Sequence, residues 1–330
     1  MSAKTVDAAV QHTNDDSVVS KRSAGKLGYV YDDYLRFFVK KLSRRSPLIN
    51  RGYALRIVAL THLIEGAIGK LSQLFPEQRV QVVSLGAGFD TVAARMYERP
   101  GLQHVHFYDV DFPEVIRNKV NLMQAAPMSK FPFHASPGGD GIPTVTHGEL
   151  FAYRYSALGA DLRDGDGVLG ALLRSGGGYF SPALPTVLYA ECVMQYMPAD
   201  SSTSLISLIA ERFPNAFFFA YDQIHPLDSF GQVMTRTLKL RNSPLLGITS
   251  LPDGLSLRSR ALACNLHNVR FDNFYDLSRL HFSGAELRRI ERLEPFDEYE
   301  EWAEMCEHYG ILGGASHPSL HLFFRQRQPK

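Results

Sequence analysis

Four apolar runs, each ending at a glycine or a carboxylate residue, constrain the fold of this chain more than any other feature. They cover residues 79–85, 104–110, 155–161 and 186–192. Segments long enough to form helices separate them, which is typical of βαβ units and a parallel sheet. The carboxyl ends of parallel strands lie at one edge of the sheet, where open α/β sheets bind ligands. The sequence therefore predicts a Rossmann-like, doubly wound α/β fold with its ligand site at that edge.

A glycine turn directly follows the first run and restricts the ligand. Gly86 and Gly88 have no Cβ, so their backbone can approach a bound molecule closely. A dinucleotide fingerprint has a third Gly or Ala at the position of Thr91, and this difference disfavours a pyrophosphate ligand. The glycines could also serve only a tight turn between a strand and a helix.

Carboxylates follow the glycine turn at the spacing of a nucleoside site. Asp109 and Asp111 lie 23 and 25 residues beyond Gly86, close to the roughly 20 residues at which a second-strand carboxylate binds ribose hydroxyls. Their side chains share one face of the strand, so they compete for this role. Asp111, at the strand end, is the predicted ligand-binding residue, and Asp109 is predicted to support it.

The third and fourth runs also end in carboxylates. Asp161 and the adjacent Leu162 suit an adenine ring, although Asp161 or Asp164 could instead cap a helix. Glu191 ends a buried strand and needs a partner. That partner could be a cationic ligand or a structural Arg or Lys. A ligand with hydroxyls and a positive charge fits all these positions, and S-adenosylmethionine is the predicted cofactor.

Composition disfavours several classes of function. The 330 residues carry a formal net charge of +1, which gives no general electrostatic case for nucleic-acid binding. No apolar run approaches the roughly 18 residues of a membrane helix, and the first twenty residues have no apolar signal region. Cys192, Cys264 and Cys306 lie far apart and are unlike a zinc site. We therefore expect a cytoplasmic monomer with reduced thiols and no metal site.

The pattern along the chain predicts one domain after a disordered N-terminus at residues 1–20. The expected parts are a helical lid over 21–75, a Rossmann-like core over 76–225, and a substrate lobe with closing strands over 226–330. Four prolines and four glycines predict a loop over residues 127–148. Late strands are predicted at residues 268–271 and 321–325.

Eight segments, in this order, resemble the leucine carboxyl methyltransferases. The segments are 49–53 (INRGY), 85–90 (LGAGFD), 110–113 (VDFP), 159–164 (GADLRD), 190–197 (AECVMQYM), 221–223 (YDQ), 228–232 (DSFGQ) and 296–298 (FDE). The resemblance covers roughly residues 21–310. The combined pattern is far more specific than the glycine turn alone.

The resemblance implies a class I methyltransferase fold with an N-terminal helical lid and an added substrate-recognition lobe. It also implies that S-adenosylmethionine is used to methylate the C-terminal leucine α-carboxylate of the type 2A protein phosphatase catalytic subunit. By this resemblance, Arg56 meets the methionyl carboxylate of the cofactor. The implied cofactor contacts are Lys21, Arg56, Gly86, Asp111, Asp161, Leu162 and Glu191.

Methyl transfer to a carboxylate needs positioning and no general base. A free α-carboxyl group has a pKa near roughly 3.5, so it is ionised at neutral pH. Good placement contributes about 7–11 kcal/mol. Arg51 and Tyr196 are the candidates for holding the substrate carboxylate, on residue type and location. Arg51 could instead form a surface salt bridge, and Tyr196 could simply be packed. Ten basic against two acidic residues over 21–56 favour an acidic phosphatase tail.

Several alternatives remain at the level of sequence. The related enzyme that methylates a carboxylate on a modified tRNA base has an added propeller-like domain, for which 330 residues leave no room. A small-molecule carboxyl or hydroxyl methyltransferase is a second alternative. A non-catalytic phosphatase-binding protein comes from a different class, but suitable residues at all seven cofactor positions disfavour it. An NAD-dependent oxidoreductase is weaker still because of Thr91.

Overall fold

A mixed nine-stranded sheet organises the described part of the chain in this computed structural model. The structure describes residues 3–40, 42–126, 130–134, 143–175 and 179–321. The strands are β1 (Val80–Leu85), β2 (Val105–Asp111), β3 (Thr144–Thr146), β4 (Glu149–Ala152), β5 (Tyr155–Gly159), β6 (Thr186–Glu191), β7 (Ala216–Gln223), β8 (His267–Asn273) and β9 (Tyr309–Ala315). Their order across the sheet is β3-β4-β5-β2-β1-β6-β7-β9-β8.

Helices follow or flank most of these strands. They are α1 (Ala3–Lys26), α2 (Leu35–Phe38), α3 (Pro47–Leu74), α4 (Val92–Tyr97), α5 (Pro113–Ala125), α6 (Gly165–Arg174), α7 (Ala199–Arg212), α8 (Ser229–Leu240), α9 (Gly254–Ala263), α10 (Phe274–His281), α11 (Gly284–Glu291) and α12 (Tyr299–Glu307). None of the helices described here is long and apolar enough to cross a lipid bilayer.

The parallel part of the sheet confirms the predicted doubly wound architecture. Strands β5, β2, β1, β6 and β7 are parallel neighbours, and β9 joins β7 antiparallel. The chain moves outward from β1 to β2 and β5, and then returns to the other side of β1 for β6. Such a reversal of strand order opens a crevice at the carboxyl ends of β1 and β6.

The central strands are buried on both faces, as parallel strands covered by helices are. All six residues of β1 and all eight of β7 are buried. Gln81 is the long polar side chain within β1, and its amide donates to the Ser181 carbonyl and to Thr186 Oγ1, at 2.9 and 2.8 Å. These bonds make a buried amide tolerable in the centre of the sheet.

Helix α3 forms the main part of the predicted lid. The Ser46 side chain accepts a hydrogen bond from the Ile49 N–H, and Pro47 occupies the first turn. Proline suits that position because its missing N–H would have no helical partner there. The Ser46-Pro47 pair therefore begins a helix that continues without interruption to Leu74.

The structure differs from the predicted disorder of residues 1–20 from Ala3 onward. Helix α1 runs from Ala3 to Lys26, Val18 is only 2% exposed, and Asp16 forms an ion pair with Arg45. The segment looked unstructured because its polar sequence has little apolar periodicity of its own. Its helix is stabilised by packing against α3, which is how most helices in proteins gain stability.

The sequence did not predict the hairpin of β3 and β4 or the strand β9, for different reasons. Strands β3 and β4 form an antiparallel hairpin beside β5, so the predicted loop over 127–148 contains strand residues where it is described. Strand β9 pairs with β7 and β8, and no strand was predicted for its residues. A Cβ at Gly310 would lie 2.2 Å from the Phe271 ring, so glycine permits this close pairing. β8 confirms the strand predicted at 268–271, whereas residues 322–325 of the other predicted strand lie outside the described residues.

A buried ion pair joins α5 to the sheet beneath the crevice. Lys119 Nζ lies 2.6 Å from Asp109 Oδ2, and both side chains are almost fully buried. The Tyr155 hydroxyl donates to the same carboxylate at 2.7 Å. Burial raises the pKa of Asp109, and the charge of Lys119 opposes that shift. Asp109 therefore lies beneath the crevice in a supporting position.

Replacing Lys119 by Met should lower the free energy of unfolding by about 3–5 kcal/mol, because it leaves the Asp109 carboxylate buried without its cation. Chemical denaturation of the purified protein measures the loss. The double variant Lys119→Met with Asp109→Asn is the control, and it should recover part of the stability. A single variant as stable as the wild type would contradict this account of the pair.

Candidate active site

A cavity of about 750 Å³ occupies the crevice at the carboxyl ends of β1, β2, β5 and β6. Helices α1 and α8 form its opposite wall. The cavity brings together every cofactor residue expected from the sequence, together with Tyr196. These residues are Lys21, Arg56, Gly86, Asp111, Asp161, Leu162 and Glu191.

The glycine turn lies against two neighbouring segments. Gly86 and Gly88 have φ values of +69° and +47°, in the left-handed region that favours glycine. A Cβ at Gly86 would lie 2.5 Å from a methyl group of Val193, and one at Gly88 would lie 2.4 Å from Asn14 Oδ1. The turn therefore requires glycine for its backbone conformation and for the space around it.

Asp111 is fixed by the backbone at the end of β2. Its two carboxylate oxygens accept hydrogen bonds from the N–H groups of Gly88 and Phe112, both at 2.7 Å. Burial raises the pKa of Asp111 to about 6, although these two hydrogen bonds oppose the shift. Each carboxylate oxygen has a second lone pair. The ionised group can therefore still accept hydrogen bonds from ribose hydroxyls.

Asp161 lies at the cavity wall beside Arg163. Arg163 binds the Asp161 carboxylate, with Nη2–Oδ2 at 2.6 Å, and reaches Asp7 of α1 at 2.9 Å. Burial raises the pKa of Asp161, but the hydrogen bonds from Arg163 outweigh this and lower it. Asp164 caps α6 by accepting from the Gly167 N–H. The helix cap is therefore Asp164, and an adenine amino group at Asp161 would share its carboxylate with Arg163.

Glu191 stands between two cations. Lys21 Nζ lies 2.8 Å from the Glu191 carboxylate, and Arg56 Nε forms a second ion pair with it. Burial alone would raise the pKa of Glu191, but Arg56 and Lys21 hold it well below its usual range. The three groups carry a net charge of +1. They can bind an amino-acid group through its ammonium at Glu191 and its carboxylate at the two cations.

Aromatic rings hold Arg56 in place. Its guanidinium carbon lies 5.2 Å from the centre of the Tyr53 ring and 4.9 Å from that of Tyr221. Such contacts contribute about 0.5–2 kcal/mol, with the larger values at desolvated sites. The guanidinium is therefore positioned by packing as well as by its ion pair.

The structure corrects the expectation that Arg51 binds the substrate carboxylate. Arg51 stacks on the Phe296 ring at 3.7 Å and lies 5.8 Å from the Trp302 ring, and it does not line the cavity. Arg51 and Arg56 are five residues apart on α3, which places them about 140° apart around the helix. Because Arg56 faces the cavity, Arg51 must face elsewhere. This spacing could have revealed the error from the sequence.

Sequence reasoning also missed the far wall of the cavity. Asn14 of α1 accepts a hydrogen bond from the Phe89 N–H at 2.8 Å and has no recognisable motif. Helix α8 does carry a signal, because its cavity residues recur at i, i+3, i+4, i+7 and i+8, which is one helical face. These residues are Phe230, Val233, Met234, Thr237 and Leu238.

Comparison with known proteins agrees with this geometry. The family described as "Leucine carboxyl methyltransferase" matches residues 8–210. The chain belongs to this family. The leucine carboxyl methyltransferase 1 homolog of Arabidopsis thaliana is 36% identical over 312 residues, which cover 92% of this chain and 88% of that protein.

A second relative is a longer protein. The tRNA wybutosine-synthesizing protein 4 of Homo sapiens is 38% identical over 317 residues, which cover 94% of this chain and 45% of that protein. The chain thus spans about half the length of that relative. A solved structure of a DUF574-family protein from Streptomyces avermitilis has a TM-score of 0.51 at 13% identity, covering 89% of this chain and 96% of that protein. That likeness shows the fold alone.

Membership of the family establishes S-adenosylmethionine as the cofactor and a class I methyltransferase fold as the architecture. The residues of this chain fit that cofactor. Asp111 suits the ribose, Asp161 and Leu162 suit the adenine, and the pair of cations around Glu191 suits the amino-acid group.

Cofactor affinity should fall in mildly acidic solution. The ionised carboxylate of Asp111 accepts ribose hydroxyls more strongly than its protonated form does, and its pKa is about 6. Protonation should therefore weaken S-adenosylmethionine binding about tenfold between pH 7 and pH 5, as isothermal titration calorimetry would measure. The Asp111→Asn variant should bind weakly and show no such dependence. A wild-type affinity that is flat over this range would argue against the role of Asp111.

Arg56→Ala and Asp161→Ala should each weaken cofactor binding at least tenfold, or about 1.4 kcal/mol, because each removes a charged hydrogen-bonding partner. Arg51→Ala is the matched control on the same helix. It should keep the cofactor affinity within about twofold, because Arg51 lies outside the cavity lining. If Arg51→Ala weakens binding as much as Arg56→Ala, the two helix faces have been assigned incorrectly.

Proposed function

We propose that the chain transfers the methyl group of S-adenosylmethionine to a carboxylate and forms a methyl ester. The observation that carries this proposal is the chemistry of the cavity lining. Among the described residues no histidine lines the cavity, and burial raises the pKa of the Cys192 thiol to about 12. Every carboxylate in the lining is already bound by a cation, a backbone N–H or a tyrosine hydroxyl. These carboxylates are Asp7, Asp16, Asp90, Asp111, Asp161 and Glu191. A hydroxyl or amine acceptor generally needs a base to remove its proton. A carboxylate has already lost that proton at neutral pH.

The cofactor supplies an electrophilic methyl group bound to a sulfonium. One oxygen of the acceptor carboxylate forms the new bond to the methyl carbon, the sulfur–carbon bond breaks, and its electron pair stays on sulfur. No proton moves in this step. The role of the protein is to orient the two reactants and exclude water, and such positioning contributes about 7–11 kcal/mol.

The favoured acceptor is the C-terminal leucine carboxylate of the type 2A protein phosphatase catalytic subunit. An apolar wall in the cavity supports this choice because it suits a leucine side chain. The wall is formed by Val193, Met197, Phe230, Met234 and Leu246. The similarity to the leucine carboxyl methyltransferase 1 homolog, over most of both chains, supports the same acceptor.

A carboxylate on a modified tRNA base is the second candidate. It is favoured by the similarity to the human tRNA wybutosine-synthesizing protein 4, which is as high as that to the leucine enzyme homolog. Basic residues near the cavity are compatible with it. Helix α8 has no acidic residue and carries Arg236 and Lys239, and Arg241 follows at its end.

Transfer of labelled methyl from S-adenosylmethionine tests both acceptors together. The substrates are the intact phosphatase catalytic subunit, the same subunit without its last leucine, and tRNA carrying the unmethylated wybutosine precursor. We expect label on the intact subunit alone, released by mild base as an ester. The Arg56→Ala variant is the negative control.

Label on the tRNA alone would transfer the assignment to the second candidate. Label on the shortened subunit would mean that the terminal leucine is not required, because that subunit ends in the α-carboxylate of another residue. Cofactor binding without transfer to any of these macromolecules would overturn both candidates.

A further inference from the structure

Three tyrosines from separate parts of the chain meet in the cavity. Tyr53 comes from α3, Tyr196 follows β6, and Tyr309 begins β9. All three line the cavity and are partly buried. Tyr53 lies against the guanidinium of Arg56, so the cluster is beside the residues assigned to the methionyl group of the cofactor.

The hydroxyls of this cluster are available to a ligand. Within the described residues, none of the three hydroxyls forms a hydrogen bond, whereas those of Tyr29, Tyr155 and Tyr189 do. Tyrosine hydroxyls in buried places usually find a partner. Burial raises the pKa of Tyr196 and Tyr309, and the nearby Cys192 raises both further. The hydroxyls of Tyr196 and Tyr309 therefore stay protonated and act as hydrogen-bond donors.

The cations that line the cavity already have partners. Lys21 and Arg56 pair with Glu191 and suit the cofactor carboxylate. Arg163 pairs with Asp161, and Arg241 pairs with Asp16. An acceptor carboxylate still needs donors that orient it. Neutral hydroxyls orient the carboxylate through weaker hydrogen bonds than a cation would form. More electron density therefore stays on the oxygen that attacks the methyl group.

We propose that the hydroxyls of Tyr53 and Tyr309, together with Tyr196, form the binding site for the acceptor carboxylate. This inference rests on the proposed carboxyl methyl transfer. The tyrosines hold the acceptor while one of its oxygens takes the methyl group, and they exchange no proton with it. The site recognises a carboxylate on any larger molecule, so it does not itself choose between the two acceptors.

The test uses Tyr53→Phe, Tyr309→Phe and the double variant in the full chain. The acceptor is whichever macromolecule the wild type methylates, the phosphatase subunit or the precursor tRNA. We expect each single variant to lower kcat/KM for the acceptor about tenfold, mainly through a higher KM, because each loses one hydrogen bond to a charged group. The dissociation constant of S-adenosylmethionine should change less than about twofold.

Tyr108→Phe is the matched control. Tyr108 is also buried, its hydroxyl has no partner among the described residues, and it does not line the cavity. This variant should keep the wild-type kcat/KM. Cavity variants that keep the wild-type KM, or that lose cofactor affinity instead, would overturn the proposed site.

A separate binding measurement covers the case in which the wild type methylates neither macromolecule. The proposed function then fails, and the site is tested with N-acetyl-leucine against the complex with S-adenosylhomocysteine, using calorimetry. N-acetyl-leucinamide is the uncharged comparison. A preference for the carboxylate that disappears in the double variant would support the site. No preference in the wild type would overturn it.

Discussion

The ion cluster of Glu191 with Lys21 and Arg56 connects three elements from distant parts of the chain. It joins α1, α3 and the end of β6. Removing charges from water is costly, and the cost is offset only when the partners are all in place. The cluster therefore makes the position of α1 depend on the sheet. The contacts of Asn14 with the glycine turn and of Asp7 with Arg163 depend on that position in turn.

The charge balance of the cluster suits a zwitterion better than a simple anion or cation. An amino-acid group carries one charge of each sign, so it adds no net charge to a site that already has both. The carboxylates of Asp111 and Asp161 suit the polar, uncharged parts of the nucleoside. The acceptor side has a different character, with tyrosine hydroxyls and an apolar wall. The cavity is thus charged where the cofactor binds and nearly neutral where we place the acceptor.

The sheet and its ligand edge could be read from the sequence because buried parallel strands are continuous apolar runs. The carboxylates at the strand ends were predicted for the same reason. Helix α1 could not be predicted, since its stability comes from α3 and the cavity rim rather than from its own sequence. Strand β9 was hidden because glycines that allow close pairing also resemble a loop. Arg51 was misassigned because residue type was considered without its position around α3, and the stripe on α8 was a periodic signal that was overlooked.

Lys21 and Glu191 are 170 residues apart in the chain, and this distance bears on the order of folding. A contact between such distant residues must overcome a large loss of chain entropy before it forms. During synthesis, α1 leaves the ribosome long before β6 is made, so Lys21 has no Glu191 carboxylate to pair with. Helix α1 therefore cannot form this ion pair until the later strands have been made. The cofactor site is complete only after β6 has joined the sheet.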